Sequence, residues 1–219
     1  MFDSLLSAYD SIIFVDTETT GFNTETDYIT EFAAIKVKKS QATGNKTAEE
    51  ERLLAFVQLP DGVSIPEALI SSTGITDEMC QTGITPAELY SRFSSLLDAH
   101  TLIVAYNAQF DVSFLLRLER EYGEKKIVGA CDYLDALTVY RDRAEAPHKL
   151  CDAIKYYDVE GVNSHRAMED AEALRNVMVA MAEEKDDLLG YINRFGYKRK
   201  YGISGGRIEG VEYFEQLEC

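Results

Sequence analysis

A chain of 219 residues with 46% hydrophobic content can bury one full-sized core and little more. Its formal net charge of −16, from 22 Lys+Arg against 38 Asp+Glu, excludes a protein that draws phosphate to its whole surface. An enzyme that holds metal ions in acidic clusters and confines its cations to one strip stays open. No apolar run reaches ~18 residues, so no membrane span is expected. The opening MFDSLLSAYD is too acidic and polar for a secretory signal. Cys80, Cys131, Cys151 and Cys219 lie far apart without a Cys-x-x-Cys pair. That spacing argues against zinc and against a disulfide framework, and it fits a reducing cytoplasm.

In chain order, SIIFVD at 11–16 reads as a short central strand and YITEFAAIKV at 28–37 as a second. The polar stretch KKSQATGNKTAEE at 38–50 reads as a long exposed turn before a third strand, LLAFVQLP, at 53–60, which makes a meander. Pro66, Gly74 and Pro86 limit the next segment to short helices. Leu89, Phe93, Leu96 and Leu97 follow helical spacing, LIVAY at 102–106 is a buried strand, and helical spacing returns at 111–122. A short apolar run, IVGAC, follows at 127–131, then helical patterns at 148–156 and 167–184. Strands in a meander, then strands alternating with helices, predict an α/β domain with a mixed sheet. After Lys185 the composition turns to Gly, Tyr and basic residues, so 186–219 reads as an extension of a domain spanning 1–185.

Carboxylates stand where they are costly. Asp16 and Glu18 are two apart at the end of a strand and therefore project together, although an acidic pair in that place is by itself usually a solvated turn. Asp111 falls on the apolar stripe of Phe114, Leu115, Leu118 and Tyr122, and Asp170 on that of Leu174, Val177, Met178 and Met181. His165 lies about 140° around a helix from Asp170, so it is expected in the loop that enters that helix. Four carboxylates from three segments are thus aimed at the core side of one sheet. Uncompensated, they would cost several kcal/mol or hold protons at neutral pH. Hard oxygen ligands without thiolates suit Mg²⁺ or Mn²⁺.

FVDTETTGF, YNAQFDVSFL and HRAMEDA resemble, in order, the three motifs of the DEDDh 3′–5′ exonucleases, a family that includes the epsilon proofreading subunit of bacterial DNA polymerase III. The resemblance covers roughly residues 10–185. It implies a ribonuclease H-like fold, a five-stranded mixed sheet flanked by helices. It also implies two divalent cations held by Asp16, Glu18, Asp111 and Asp170, with His165 as general base. Thr17, Thr19, Asn107 and Phe110 are the candidate contacts to the terminal nucleotide. Thr73 stands before Gly74-Ile75 where relatives often carry a histidine, so it can donate a hydrogen bond but cannot stack. The expected activity is release of nucleoside 5′-monophosphates from single-stranded DNA 3′ ends, and a replicative DNA polymerase is the protein partner the resemblance suggests. The competing readings are an RNA 3′ exonuclease and a catalytically inactive domain that binds nucleic acid or docks on a polymerase.

In the extension, RFGYKRKYGISGGR at 194–207 holds five basic residues and no acidic one. Lys198, Arg199, Lys200 and Tyr201 are candidate nucleic-acid contacts there, against the alternative that the tyrosines only pin the tail to the domain.

Overall fold

The computed structural model describes residues 2–38 and 49–216, so most of the polar turn expected at 38–50 lies outside the described residues. A short helix, α1 (Leu5–Ala8), precedes the central strand β1 (Ser11–Thr19). Strand β2 (Ile29–Lys38) pairs antiparallel with β1, and β3 (Glu49–Phe56) antiparallel with β2. The third strand starts earlier than LLAFVQLP suggested and stops short of Pro60. Its polar first half pairs along β2 from Glu49 opposite Lys38, where backbone pairing and not apolar content sets the boundary.

Helices α2 (Glu67–Thr73) and α3 (Asp77–Gln81) are short, as the Pro and Gly spacing required. Gly74 ends α2 in the left-handed region at φ 71°. Helix α4 (Pro86–Leu96) begins with proline at its first turn, and Thr85 Oγ1 accepts from Glu88 N at 3.1 Å. Strand β4 (Thr101–Ala105) runs parallel to β1 and leads into α5 (Ala108–Tyr122).

The apolar run 127–131 is not the fifth strand. Backbone N–H groups of Ile127, Val128 and Gly129 all point to the buried carboxylate of Glu119, which bends Val128–Ala130 into a 3₁₀ turn. The strand β5 (Asp132–Asp135) follows and pairs parallel with β4. Asp135 then caps α6 (Ala136–Arg141), a helix the periodicity did not announce, before α7 (Leu150–Tyr156) and α8 (Ala167–Glu184).

The sheet order is β3-β2-β1-β4-β5. Alternation along β1 divides the core in two. Ile12 and Phe14 pack with Leu174, Val177 and Met178 of α8, whereas Ile13 and Val15 pack with Val112 and Leu115 of α5. The two helices therefore cover opposite faces. No described helix is long and apolar enough to cross a membrane.

The described part of the extension adds a 3₁₀ turn (Leu188–Tyr191) and two parallel strands, β6 (Arg194–Tyr197) and β7 (Glu212–Glu215). Asn193 ties it to β5: its side-chain oxygen accepts from Tyr133 N at 2.8 Å, and its backbone N–H donates to Tyr133 O at 2.8 Å.

Candidate active site

β1 pairs with β4 only from Ser11 to Phe14, so its last residues run on past the end of β4. At this carboxyl edge of the parallel strands the chain turns from β4 into α5 through Asn107, whose backbone is left-handed at φ 70°. The buried carboxylate of Asp135 accepts from Asn107 N at 2.9 Å and Ala108 N at 3.0 Å, which fixes the start of α5. Asp111, one turn on, is buried.

By parity along the strand, Asp16 and Glu18 continue the Ile12/Phe14 face, toward α8, while Thr17 continues the face of α5. The four carboxylates are thus not all on one side of the sheet, as the sequence had suggested. Asp111 and Asp170 come from helices on opposite faces and meet Asp16 and Glu18 beyond the end of β4, on the stretch of β1 that is still paired with β2 but has lost its neighbour on the other side. Asp16 lies within electrostatic reach of Asp111, Asp170 and Glu18. Ligand atoms of Glu18, His165 and Asp170 all lie within 4.8 Å of one another, a separation at which one cation could be shared. Among the described residues no donor is hydrogen-bonded to the carboxylates of Asp16 or Glu18. That donor set, all oxygen with one imidazole and no thiolate, fits a hard divalent cation.

His165 stands in the loop before α8 and is exposed, with φ 56°, a conformation costing about 1 kcal/mol or more for a non-glycine residue. Two anchors hold it. On one side the carboxylate of Asp170 accepts from Ser164 N at 3.0 Å and Asn163 Nδ2 at 2.6 Å. On the other, Glu31, fully buried on β2, accepts from Arg166 Nη2 at 2.8 Å, Arg166 Nε at 3.1 Å and Ala167 N at 2.9 Å. The Arg166 guanidinium also lies over the Phe56 ring, 5.6 Å from its centroid, within reach of a cation–π attraction. Sequence reasoning missed Glu31, Asn163, Ser164 and Asp135. For Glu31 a signal existed, a carboxylate directly beside the apolar run FAAI of a predicted strand. The others act through contacts that only folding creates.

The hydroxyls expected to face the terminal nucleotide are engaged within the fold. Thr17 Oγ1 donates to Asp111 Oδ1 at 2.7 Å, Thr19 Oγ1 to Gly21 O at 2.6 Å, and Thr73 Oγ1 to Leu69 O at 2.8 Å. Asn107 is exposed, and no cap hydrogen bond engages its side chain. Phe110 is half-buried between Phe114, at 5.1 Å between ring centroids, and Phe22, at 6.3 Å. Phe22 is 83% exposed.

Crowding raises the proton affinity of the cluster. Burial pushes Glu18 up to about 7, with help from Asp170, Glu31 and Asp111. Burial likewise pushes Asp111 up to about 7, against the hydrogen bond from Thr17 that favours its anion. Asp16 is held well above the usual carboxylate range, first by burial and then by Asp111, Asp170, Glu18 and Glu31. Asp170 is also raised by burial, against the donors Ser164 and Asn163.

A pH dependence follows. With these pKa values above those of the unfolded chain, the folded protein without metal keeps protons that the unfolded chain releases above about pH 4. The stabilisation is complete near the unfolded values and is lost as pH rises through about 7. Urea midpoints in a chelator should fall between pH 5 and 8 by an amount worth roughly 1–3 kcal/mol. Saturating Mg²⁺ should flatten that fall. Equal slopes with and without the cation would contradict the assignment.

The Exonuclease family profile (RNase_T) matches residues 13–178. Among curated relatives, DNA polymerase III PolC-type of Bacillus cereus is 31% identical over 180 residues, which covers 82% of this chain and 12% of that protein. The PolC-type polymerase of Bacillus subtilis is 27% identical over 180 residues, 80% of this chain and 12% of that protein. The chain thus spans only a small part of the length of these relatives.

The crystal structure of E. coli Exonuclease I in complex with a dT13 oligonucleotide superposes with a TM-score of 0.68 at 21% identity, over 83% of this chain and 42% of that one. The zinc ion bound form of the Exonuclease I–ssDNA complex gives 0.67 at 21% identity, over 84% and 42%. At this identity the likeness speaks for the fold, and it is the ribonuclease H-like one. The profile match takes in well over half of the residues and carries the conclusion on family: the chain belongs to the Exonuclease family, among the 3′–5′ exonucleases of DEDD type.

Proposed function

We propose that this chain is a metal-dependent 3′–5′ exonuclease that hydrolyses the terminal phosphodiester of single-stranded DNA and releases nucleoside 5′-monophosphates. The observation that carries the reading is the meeting of Glu18, Asp170 and His165 within 4.8 Å, with Asp16 and Asp111 alongside. DNA is favoured over RNA as substrate because the curated relatives are DNA polymerases and Exonuclease I is held with oligodeoxynucleotides in its crystals.

In this reading Asp16, Glu18, Asp111 and Asp170 hold two divalent cations, Mg²⁺ or Mn²⁺. When bound, the cations supply Lewis-acid activation of water and neutralise charge on the phosphate and the leaving oxygen. A ring nitrogen of neutral His165 takes the proton of the attacking water as the new P–O bond forms and the P–O3′ bond breaks. Thr17 acts indirectly, by orienting the Asp111 carboxylate. Thr19 and Thr73, with their hydroxyls engaged, contribute backbone shape at the terminal nucleotide, and Phe110 contributes an apolar surface for its base. Asn107, exposed at the turn into α5, is the polar group left to meet the substrate.

We take residues 1–185 as the catalytic domain and 186–219 as its extension. A replicative DNA polymerase is the proposed protein partner, since the matching PolC-type chains are themselves polymerases. Free thiols at Cys80, Cys131 and Cys151 support a reducing cytoplasm as the setting.

A 3′-labelled oligonucleotide assay tests the reading. Mononucleotide release should require Mg²⁺ or Mn²⁺ and stop on chelation, and His165→Ala should lower kcat by roughly 10²–10⁴-fold. A matched RNA strand cleaved faster than the DNA would transfer the substrate assignment. Undiminished activity of the His165 variant would remove its role as base.

A further inference from the structure

We propose that Phe22 and the loop 198–207 form a track for the single strand outside the catalytic cluster, aromatic next to the site and cationic beyond it. The proposal rests on the exonuclease reading and deepens it by naming where the chain holds the strand upstream of the scissile bond.

The first observation is placement. Gln109, two residues before Asp111, donates from Nε2 to Gly206 O at 2.7 Å, and its Oε1 accepts from Tyr213 Oη at 2.5 Å. Tyr213 Oη in turn accepts from Ile208 N at 2.8 Å. On the neighbouring side, a Cβ built on Gly205 would lie 4.0 Å from Thr24 Oγ1. Residues 205–208 are therefore seated against both segments that follow the first two motifs, the loop after β1 and the start of α5. Phe22 belongs to the first of these and leans on Phe110 of the second. The sequence offered no reason to put residues about 100 positions apart side by side.

The second observation is charge. Lys198, Arg199, Lys200 and Arg207 make no ion pair among the described residues, in a chain of net charge −16. Arg194, the remaining cation of the extension, differs, since it pairs with Glu212. Instead, Arg207 lies over the Tyr213 ring at 4.9 Å and Lys200 over that of Tyr201 at 5.3 Å, leaving both heads open to an anion.

The third observation is exposed aromatic surface. Phe22 at 83% and Tyr201 at 72% are among the most exposed large apolar side chains of the protein. Burying them within the chain is not their use. Stacked bases are a sequence-tolerant partner for such rings, and unpaired cations alongside suit the phosphates between the bases. A cluster of unpaired cations in this loop also accounts for how so acidic a protein takes a polyanion: attraction is local to the path that ends at the metal site.

The test uses the full chain and a dT12 strand whose 3′-terminal linkages are phosphorothioate, bound in Mg²⁺ and followed by fluorescence anisotropy. Replacing Lys198, Arg199, Lys200 and Arg207 together by Ala should raise Kd at least roughly 10-fold at low salt. The slope of log Kobs against log salt should shrink by about 2–3, since each phosphate that the loop neutralises on a single strand adds about 0.7. The charge-conserving set K198R, R199K, K200R and R207K should restore both. Phe22→Ala should weaken binding roughly 5-fold or more with an unchanged slope, as a stacking interaction requires. Wild-type affinity and slope in the quadruple Ala variant would overturn the proposal, and so would failure of the charge-conserving set to restore them. Hydrolysis of the p-nitrophenyl ester of thymidine 5′-phosphate by the wild-type chain, a substrate too short to reach the loop, reports on the catalytic reading separately. If that ester is not cleaved, the catalytic reading fails while the track is still judged by the binding data.

Discussion

Asp16→Asn is expected to reduce nucleotide release by roughly 10³-fold, the scale found when a group stabilising charge in the transition state is removed. The same substitution should leave the metal-free protein as stable as the wild type or more so. Asp16 is enclosed with Asp111, Asp170 and Glu18, and burial and their repulsion both disfavour its charge. A neutral side chain of the same shape removes that repulsion without opening a cavity. The two readouts must therefore move in opposite directions: activity collapses while the urea midpoint at pH 8 holds or rises. A variant that is inactive because it is unfolded would show both falling, and an active variant would remove Asp16 from the metal site.

Glu31→Ala should damage both stability and turnover. The carboxylate is fully buried and takes three hydrogen bonds from Arg166 and Ala167, so its removal strands a guanidinium and a backbone N–H. A loss of about 3 kcal/mol is expected, toward the lower part of the range for breaking a buried pair because the Arg166 side chain still reaches solvent. Function should suffer through His165, whose left-handed backbone is held between the Glu31 and Asp170 anchors. As a positioning residue, Glu31 should show its effect in kcat, roughly 10-fold or more, with KM for the oligonucleotide little changed. Glu31→Gln, which keeps the shape and part of the hydrogen bonding, should recover some of the stability. In a double-mutant cycle with Arg166→Met, the pair should cost less than the sum of the single changes. Strict additivity, or an effect confined to KM, would show that the clamp does not set the imidazole.

Much of this protein could be read from the order of its residues. Periodicity located β1, β2, β4, α4, α5 and α8, because an element with one buried face must repeat its apolar residues at its own pitch. The same arithmetic placed Asp111 and Asp170 on inward-facing stripes and His165 in the loop before α8. These are local consequences of covalent geometry. Where a single side chain gathers backbone N–H groups, periodicity was silent: Glu119 turns 127–131 away from strand geometry, and Asp135 caps a helix that periodicity does not mark. Tertiary structure alone decided that α5 and α8 approach from opposite faces and join their carboxylates past the edge where β4 stops. It alone seated Glu31 beneath the His165 loop and residues 205–208 against Gln109. Each of those pairings joins residues far apart in the chain, and their partners are chosen by the packing of whole elements, which no local pattern encodes.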